Sequence, residues 1–348
     1  MNKRNHVFLR IISQCFCLFL LVSCLSAAPQ KTITIFSTPT AIPLPSETAA
    51  PLIKYQLTYI SNCEYGFECM NAVNIGCLDT STPCMGEQQV LFKIPGNEET
   101  PRIPIRTASW SPDGKKVALV ASGERGMDIF VGDWNGKNWM NLTASPGYDE
   151  FNPNWSADGK SVTYLAEFGD DASFKRVLSI NLMEQKTTQL LNPLTISFPF
   201  IEYIDWSPDG NRVVFTQSDD HGYDQIYIAD IDGSNVHQIT NRTENHFDPK
   251  FSPDGKWIIY SREPVIGNAI SNLYLLRLDG SDEHAITQDD LGLKWRQAWL
   301  PNGNWIAYTV SIENHSDIYL VNTDSLQTIR VTDHYGNEEE PSWRIVPH

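Results

Sequence analysis

Trp110-Ser111-Pro112-Asp113-Gly114 recurs unchanged as Trp206-Ser207-Pro208-Asp209-Gly210. Variants stand at Trp155 (W-S-A-D-G), Phe251 (F-S-P-D-G) and Trp299 (W-L-P-N-G), and a bare E-P-S-W ends at Trp343. Successive anchor aromatics are 45, 51, 45, 48 and 44 residues apart. A repeat of that length built from short strands is a β-propeller blade.

Residues 203–240 show one unit in full. Tyr203–Ser207 reads as a short strand and Pro208-Asp209-Gly210 as its turn: proline presets the negative φ and glycine accepts the positive one. The β-branched run Arg212–Gln217 follows, then polar Ser218–Tyr223, a third run Gln225–Asp230, the turn Asp232-Gly233-Ser234 and a last run Val236–Thr240. Four strands with tight turns make an antiparallel meander. The same order starts near Thr107, Phe151, Phe247 and Lys294, with fourth strands ending at Thr143, Leu191, Thr287 and Thr332. The anchor ring is expected between adjacent blades, where a large flat side chain covers much apolar area.

After Thr332 only one further first strand fits, Glu340–Arg344. Its missing partners are Tyr55–Ile60, Ala72–Leu78 and Gln88–Phe92 near the other end. The expected fold is therefore all-β: a six-bladed β-propeller of four-stranded antiparallel blades over residues 52–348, closed by pairing of the C-terminal strand with N-terminal strands. Closure leaves no open radial edge.

The first 23 residues carry Lys3, Arg4 and Arg10 and no acid. Ile11–Val22 is mostly apolar but too short to span a bilayer, which needs about 20 residues, so it reads as a signal-peptide core. It ends in Leu21-Val22-Ser23-Cys24, which resembles the bacterial lipobox. That resemblance implies a lipoprotein with acyl chains on Cys24, held to a membrane outside the cytoplasm at the cell surface or in the periplasm. Residues 24–51 hold Pro29, Pro39, Pro43, Pro45 and Pro51 among Thr, Ser and Ala, and read as a tether.

Export places Cys63, Cys69, Cys77 and Cys84 in an oxidising compartment, so disulfides are expected. Three pairings are possible, of which Cys63–Cys69 and Cys77–Cys84 are favoured. A metal site is the alternative, though these spacings are looser than the usual zinc pattern.

The formal charge is −16, and beyond residue 23 there remain 23 basic against 42 acidic residues, a net −19. Such a surface repels phosphate backbones and argues against nucleic acid as a partner. Pairs such as Asp219-Asp220 and Asp289-Asp290, and the run Glu338-Glu339-Glu340, read as solvated loop charge. Weak Ca2+ or other divalent-cation binding is the alternative, and no cofactor is otherwise implied.

The order W-S-P-D-G-K (Trp110–Lys115), D-I-F (Asp128-Ile129-Phe130), D-G (Asp232-Gly233) and I-T (Ile239-Thr240) resembles the TolB-type, WD-like propeller repeat. The resemblance covers roughly residues 55–346. It implies the fold, and it leaves function open among periplasmic scaffolds, peptidase gating domains and some lyases. TolB carries a separate α/β domain before its propeller; no counterpart is expected here, because the tether leads straight into blade strands.

No G-x-S-x-G elbow, P-loop, H-E-x-x-H or EF-hand loop is present in the sequence. The expectation is a monomeric, non-enzymatic binding or scaffold module for an envelope protein, peptide or glycan. The alternative is a polysaccharide lyase or hydrolase with a divalent metal at the central channel, for which His246 and Asp248 are the candidate ligands.

Overall fold

The first strand of each blade lies against the first strands of its neighbours, so six of them ring a common axis. The computed structural model describes residues 55–62, 68–76, 84–93, 107–123, 126–144, 148–168, 175–190, 203–264, 270–313, 315–333 and 337–346. The signal segment, Cys24, the tether, Cys63 and Cys77 lie outside the described residues.

The chain begins with β1 (Tyr55–Asn62), β2 (Glu68–Gly76) and β3 (Cys84–Lys93). Blade I is β4 (Ala108–Trp110), β5 (Lys116–Ser122), β6 (Met127–Asp133) and β7 (Met140–Asn141). Blade II is β8 (Tyr148–Trp155), β9 (Ser161–Phe168), β10 (Lys175–Asn181) and β11 (Lys186–Gln189). Blade III is β12 (Ile204–Trp206), β13 (Arg212–Ser218), β14 (Asp224–Asp230) and β15 (His237–Gln238). Blade IV is β16 (Asn245–Phe251), β17 (Trp257–Glu263), β18 (Asn272–Arg277) and β19 (His284–Ala285). Blade V is β20 (Leu293–Trp299), β21 (Trp305–Ile312), β22 (His315–Asn322) and β23 (Thr328–Arg330). Finally β24 (Glu338–Ile345) pairs antiparallel with β1, aligning Trp343 with Leu57 and Arg344 with Gln56. The sheet order β24-β1-β2-β3 makes blade VI from both ends of the propeller, as the repeat count requires.

Hydrophobic burial sits in the seams. Trp110 packs with Ile60, Met70 and Leu119 between blades VI and I, and Phe251 with Val214, Ile226 and Ile258 between III and IV. Trp343 lies with Leu57, Leu300 and Trp305 between V and VI. Each large apolar side chain so enclosed contributes on the order of 2 kcal/mol. The anchors also reach across by hydrogen bond. Trp155 Nε1 donates to Ser109 O (3.0 Å), and Trp343 Nε1 to Ala298 O (3.0 Å). Trp110 Nε1 donates to Thr58 Oγ1 (2.8 Å).

The polar part of the motif closes the first turn. Ser207 Oγ donates to Asp209 and accepts the Arg212 N–H, while Asp209 accepts the Asn211 N–H. Those bonds, Ser207's first, pull the Asp209 carboxyl down to about 2. Ser111–Asp113, Ser156–Asp158 and Ser252–Asp254 repeat the arrangement. A second device joins strands three and four. Thr240 Oγ1 accepts the Ile226 N–H and donates to Gln225, and Thr287 does the same for Leu273 and Asn272. Thr332 repeats it for Ile318 and Asp317. The D-I-F and I-T signatures are thus hydrogen-bond partners.

Boundaries moved in instructive places. Strands β2 and β3 start four residues earlier than the sequence implied, so Cys69 lies within β2 opposite Ser61, and Cys84 opposite Gly76. The fourth strand of blade III shrinks to His237–Gln238, because Thr240 is diverted to cap the Ile226 N–H. Glu338 and Glu340 are not solvated loop charges: both are buried within β24, drawn inside because that strand completes blade VI.

Candidate functional site

Three residues before the anchor, the first strands of blades II, IV, V and VI carry Asn152, Asp248, Arg296 and Glu340. All four are left-handed, with φ of 51°, 55°, 54° and 56°. The ladder slips beside each of them: between Phe151 and Asn154, between Phe247 and Lys250, between Trp295 and Ala298, and opposite Thr58/Ile60. These are β-bulges that turn a side chain inward. Non-glycine residues held there cost on the order of 1–3 kcal/mol each, a pattern concentrated at ligand-handling sites. In blades I and III, Thr107 and Tyr203 hold the equivalent place.

Together these six line a cavity of about 290 Å3 on the axis, with Asp205, Lys250 and the anchor aromatics around it. Arg296 is the centre of its charge. Its Nε lies 3.0 Å from Glu340 Oε1, and its guanidinium lies 5.1 Å from the Trp295 ring centre and 5.6 Å from that of Tyr203. The Arg296 backbone N–H donates to Asp248 Oδ2 (2.6 Å), tying blade V to blade IV. Burial pushes the Glu340 carboxyl up to about 8, against the pull of Arg296. Arg296 itself is held charged by Glu340, with Tyr203 and Asp248 behind, against the opposing effect of burial. Asp205 accepts from the Phe251 N–H (2.8 Å) and Asn154 Nδ2 (3.2 Å) and faces Lys250 Nζ at 3.8 Å. Burial raises its pKa too. The channel thus presents the cations Arg296 and Lys250 beside the carboxyls of Asp205, Asp248 and Glu340, a surface suited to recognising a polar group.

Five residues before the anchor lies a second buried set: Glu150, His246, Lys294 and Glu338, each packed against the preceding blade. Lys294 Nζ pairs with Asp289 (2.8 Å) and donates to Ser271 O (2.9 Å). Glu150 accepts from Thr143 Oγ1 (3.2 Å) and is raised to about 8 by burial and then by Asp128. His246 Nδ1 donates to Asp224 O (3.0 Å), burial lowers its pKa, and Nε2 lies buried without a partner.

The structure therefore sends the two sequence candidates apart. His246 enters the seam with blade III, whereas Asp248 faces the axis. Among the described residues no group of three or more His, Cys, Asp or Glu is placed to hold a metal ion. Arg296, Asn152, Tyr203 and Lys250 were not singled out as site residues from the sequence, and Glu340 was read only as part of an acidic loop run. Their signal was present: F-N-P-N-W, F-D-P-K-F, W-R-Q-A-W and E-E-P-S-W put a polar residue three places before each anchor.

This architecture makes the chain a six-bladed β-propeller built of TolB-like repeats, and comparison with known proteins agrees. It is 32% identical over 123 residues to a protein TolB homolog from Chlorobaculum tepidum, covering 35% of this chain and 27% of that one. It is 26% identical over 153 residues to the uncharacterized peptidase YuxL from Bacillus subtilis, covering 44% of this chain and 21% of that one. The matches thus span only about a fifth to a quarter of these relatives' length. The crystal structure of TolB from Acinetobacter baumannii superposes with a TM-score of 0.63 at 21% identity, over 83% of this chain and 66% of that one. No family model matches the chain.

Proposed function

We propose that this protein is a membrane-anchored, extracytoplasmic propeller that binds an envelope protein, peptide or glycan without transforming it. The observation that carries this reading is the ring of left-handed polar residues around the axis, a preorganised recognition surface. Likeness to TolB homologues supports a binding or scaffold role, and the L-V-S-C run at Cys24 supports the lipid anchor. Disulfides among Cys63, Cys69, Cys77 and Cys84 belong to the same reading. His246 and Asp248 point to different places and lend no support to a metal-dependent lyase.

The test is affinity capture from detergent-solubilised envelope, using the full chain and a Tyr203→Ala/Lys250→Ala variant. A partner recovered by the parent and lost by the variant is expected. Equal recovery by both, or no enrichment over a bare matrix, would overturn the reading. Mass spectrometry of the membrane fraction checks acylation of Cys24 separately.

A further inference from the structure

The four-strand order puts the turns between strands one and two, and between three and four, at one end of every blade. On that face the first turns of neighbouring blades nest. A Cβ placed on Gly159 of blade II would lie 3.7 Å from Pro112 of blade I, and one on Gly255 of blade IV 3.6 Å from Pro208 of blade III. Between blades II and III the contact is missing because Ala157 replaces the proline: nothing lies within 4 Å of such an atom on Gly210. Between blades IV and V the proline is present, as Pro253, yet nothing lies within 4 Å of Gly303. The two turns stand apart. The anchor beside them agrees: Trp299 Nε1, like Trp206 Nε1 at the other seam without the contact, is buried without an acceptor, whereas Trp155 and Trp343 each reach the preceding blade.

The parted seam is a cleft of about 550 Å3, walled by Trp257 and Trp299 and rimmed by Asn302, Asn304, Thr323 and Asp324. We infer that this cleft is a binding site for a neutral, hydroxyl-rich ligand, a saccharide unit. Its volume is that of a small-molecule site. No Lys or Arg lines it, and Asp254 and Asp324 do, which disfavours anions. A cation finds only one uncommitted carboxylate. Asp254 already accepts from Ser252 Oγ (2.6 Å) and the Lys256 N–H (3.1 Å), and faces Lys256 Nζ at 3.3 Å. What remains is amide, hydroxyl and imidazole beside indole. Asn302 Oδ1 accepts the Asn304 N–H, and Thr323 Oγ1 donates to Gly303 O and Asn304 O, so that the Asn302 and Asn304 amide N–H groups face outward beside the apolar faces that a sugar ring can cover. Trp257 is fixed in place: Arg277 lies over one face, 4.2 Å from its ring centre, and His284 stands edge-on at 5.5 Å.

The inference rests on the binding-module reading but uses a different surface, so the two fail separately. The test titrates the purified full chain with cellobiose and with N,N′-diacetylchitobiose, read by tryptophan fluorescence, with trilysine in parallel. Saturable binding of a disaccharide is expected. It should weaken by about tenfold or more in Asn302→Ala/Asp324→Ala, both exposed turn positions, and persist in Tyr203→Ala/Lys250→Ala. No saturable change with either sugar, tighter binding of trilysine, or indifference to the turn variant would each overturn it.

Discussion

Arg344 Nε donates to Gly114 O across 230 residues of sequence, at 2.8 Å and out of contact with solvent. Arg344 also donates to Gln56 Oε1 (3.0 Å), and its guanidinium lies 4.5 Å from the ring centre of Trp134. One side chain thus fastens β24 to β1 and to the first turn of blade I. Arg344→Ala strands two buried acceptors and is expected to lower stability by on the order of 2–3 kcal/mol. Thermal unfolding followed by circular dichroism checks this, and an unchanged midpoint would remove Arg344 from the closure.

Gly114 supplies a sharper comparison. Its φ is +65°, and a Cβ there would lie 1.7 Å from Ile345 O. Gly210 has a similar φ of +71° with nothing within 4 Å. Gly210→Ala should therefore cost only the left-handed strain, about 1–2 kcal/mol. Gly114→Ala should cost clearly more, because it also drives β24 away. Equal losses in chemical denaturation would show that the seam yields freely.

Two carboxyls in the seams and one on the axis prefer to be neutral. Glu150 is pushed from 4.5 to about 8 by burial and then Asp128, Glu338 to about 7 by burial and then Asp317, and Glu340 to about 8 by burial. The folded protein keeps protons that the unfolded chain releases. Stability from these groups is complete below pH 4.5 and is lost as pH climbs through 7 and 8. Each contributes a slope of up to about 1.4 kcal/mol per pH unit in that window. Unfolding midpoints at pH 5.5 should exceed those at pH 8.5. Glu150→Gln should narrow the gap by holding the Thr143 contact without the charge, and a gap of the opposite sign would refute the assignment.

The indoles differ in what they hold. Trp155→Phe loses a bond to Ser109 O and should cost about 1 kcal/mol beyond its lost area. Trp206 Nε1 is buried without an acceptor, so Trp206→Phe should cost its lost area alone, with no hydrogen-bond loss beside it. Paired denaturation of the two variants decides it.

Thr240→Val keeps shape and removes the hydroxyl that serves both Ile226 and Gln225. A loss of about 1–3 kcal/mol is expected, repeated by Thr287→Val and Thr332→Val. Divergent losses would mean that the device is not shared.

Blade number and ring closure were legible because they rest on repetition: the anchor turns from Trp110 to Trp343 recur every 44 to 51 residues, and the strand at Trp343 needs partners that only residues 55–92 supply. The axial ring was harder to read. Pro153, Pro249 and Pro341 sit within strands, and a proline there reads as a boundary until the bulge beside it is seen. Glu338–Glu340 looked solvated because burial of a charge follows from tertiary pairing with β1, which no local pattern encodes. His246 and Asp248, two residues apart and so on one face of a regular strand, were separated by the left-handed backbone at Asp248 itself.

Because β1 can be completed only by β24, synthesis and assembly run in opposite senses. The earliest described β-strand of the ring to leave the ribosome waits longest for its partner, with its free edge exposed until then. Contacts this distant in sequence form slowly, so a chaperone that shields Tyr55–Asn62 would act at the stage when this protein is most prone to aggregate.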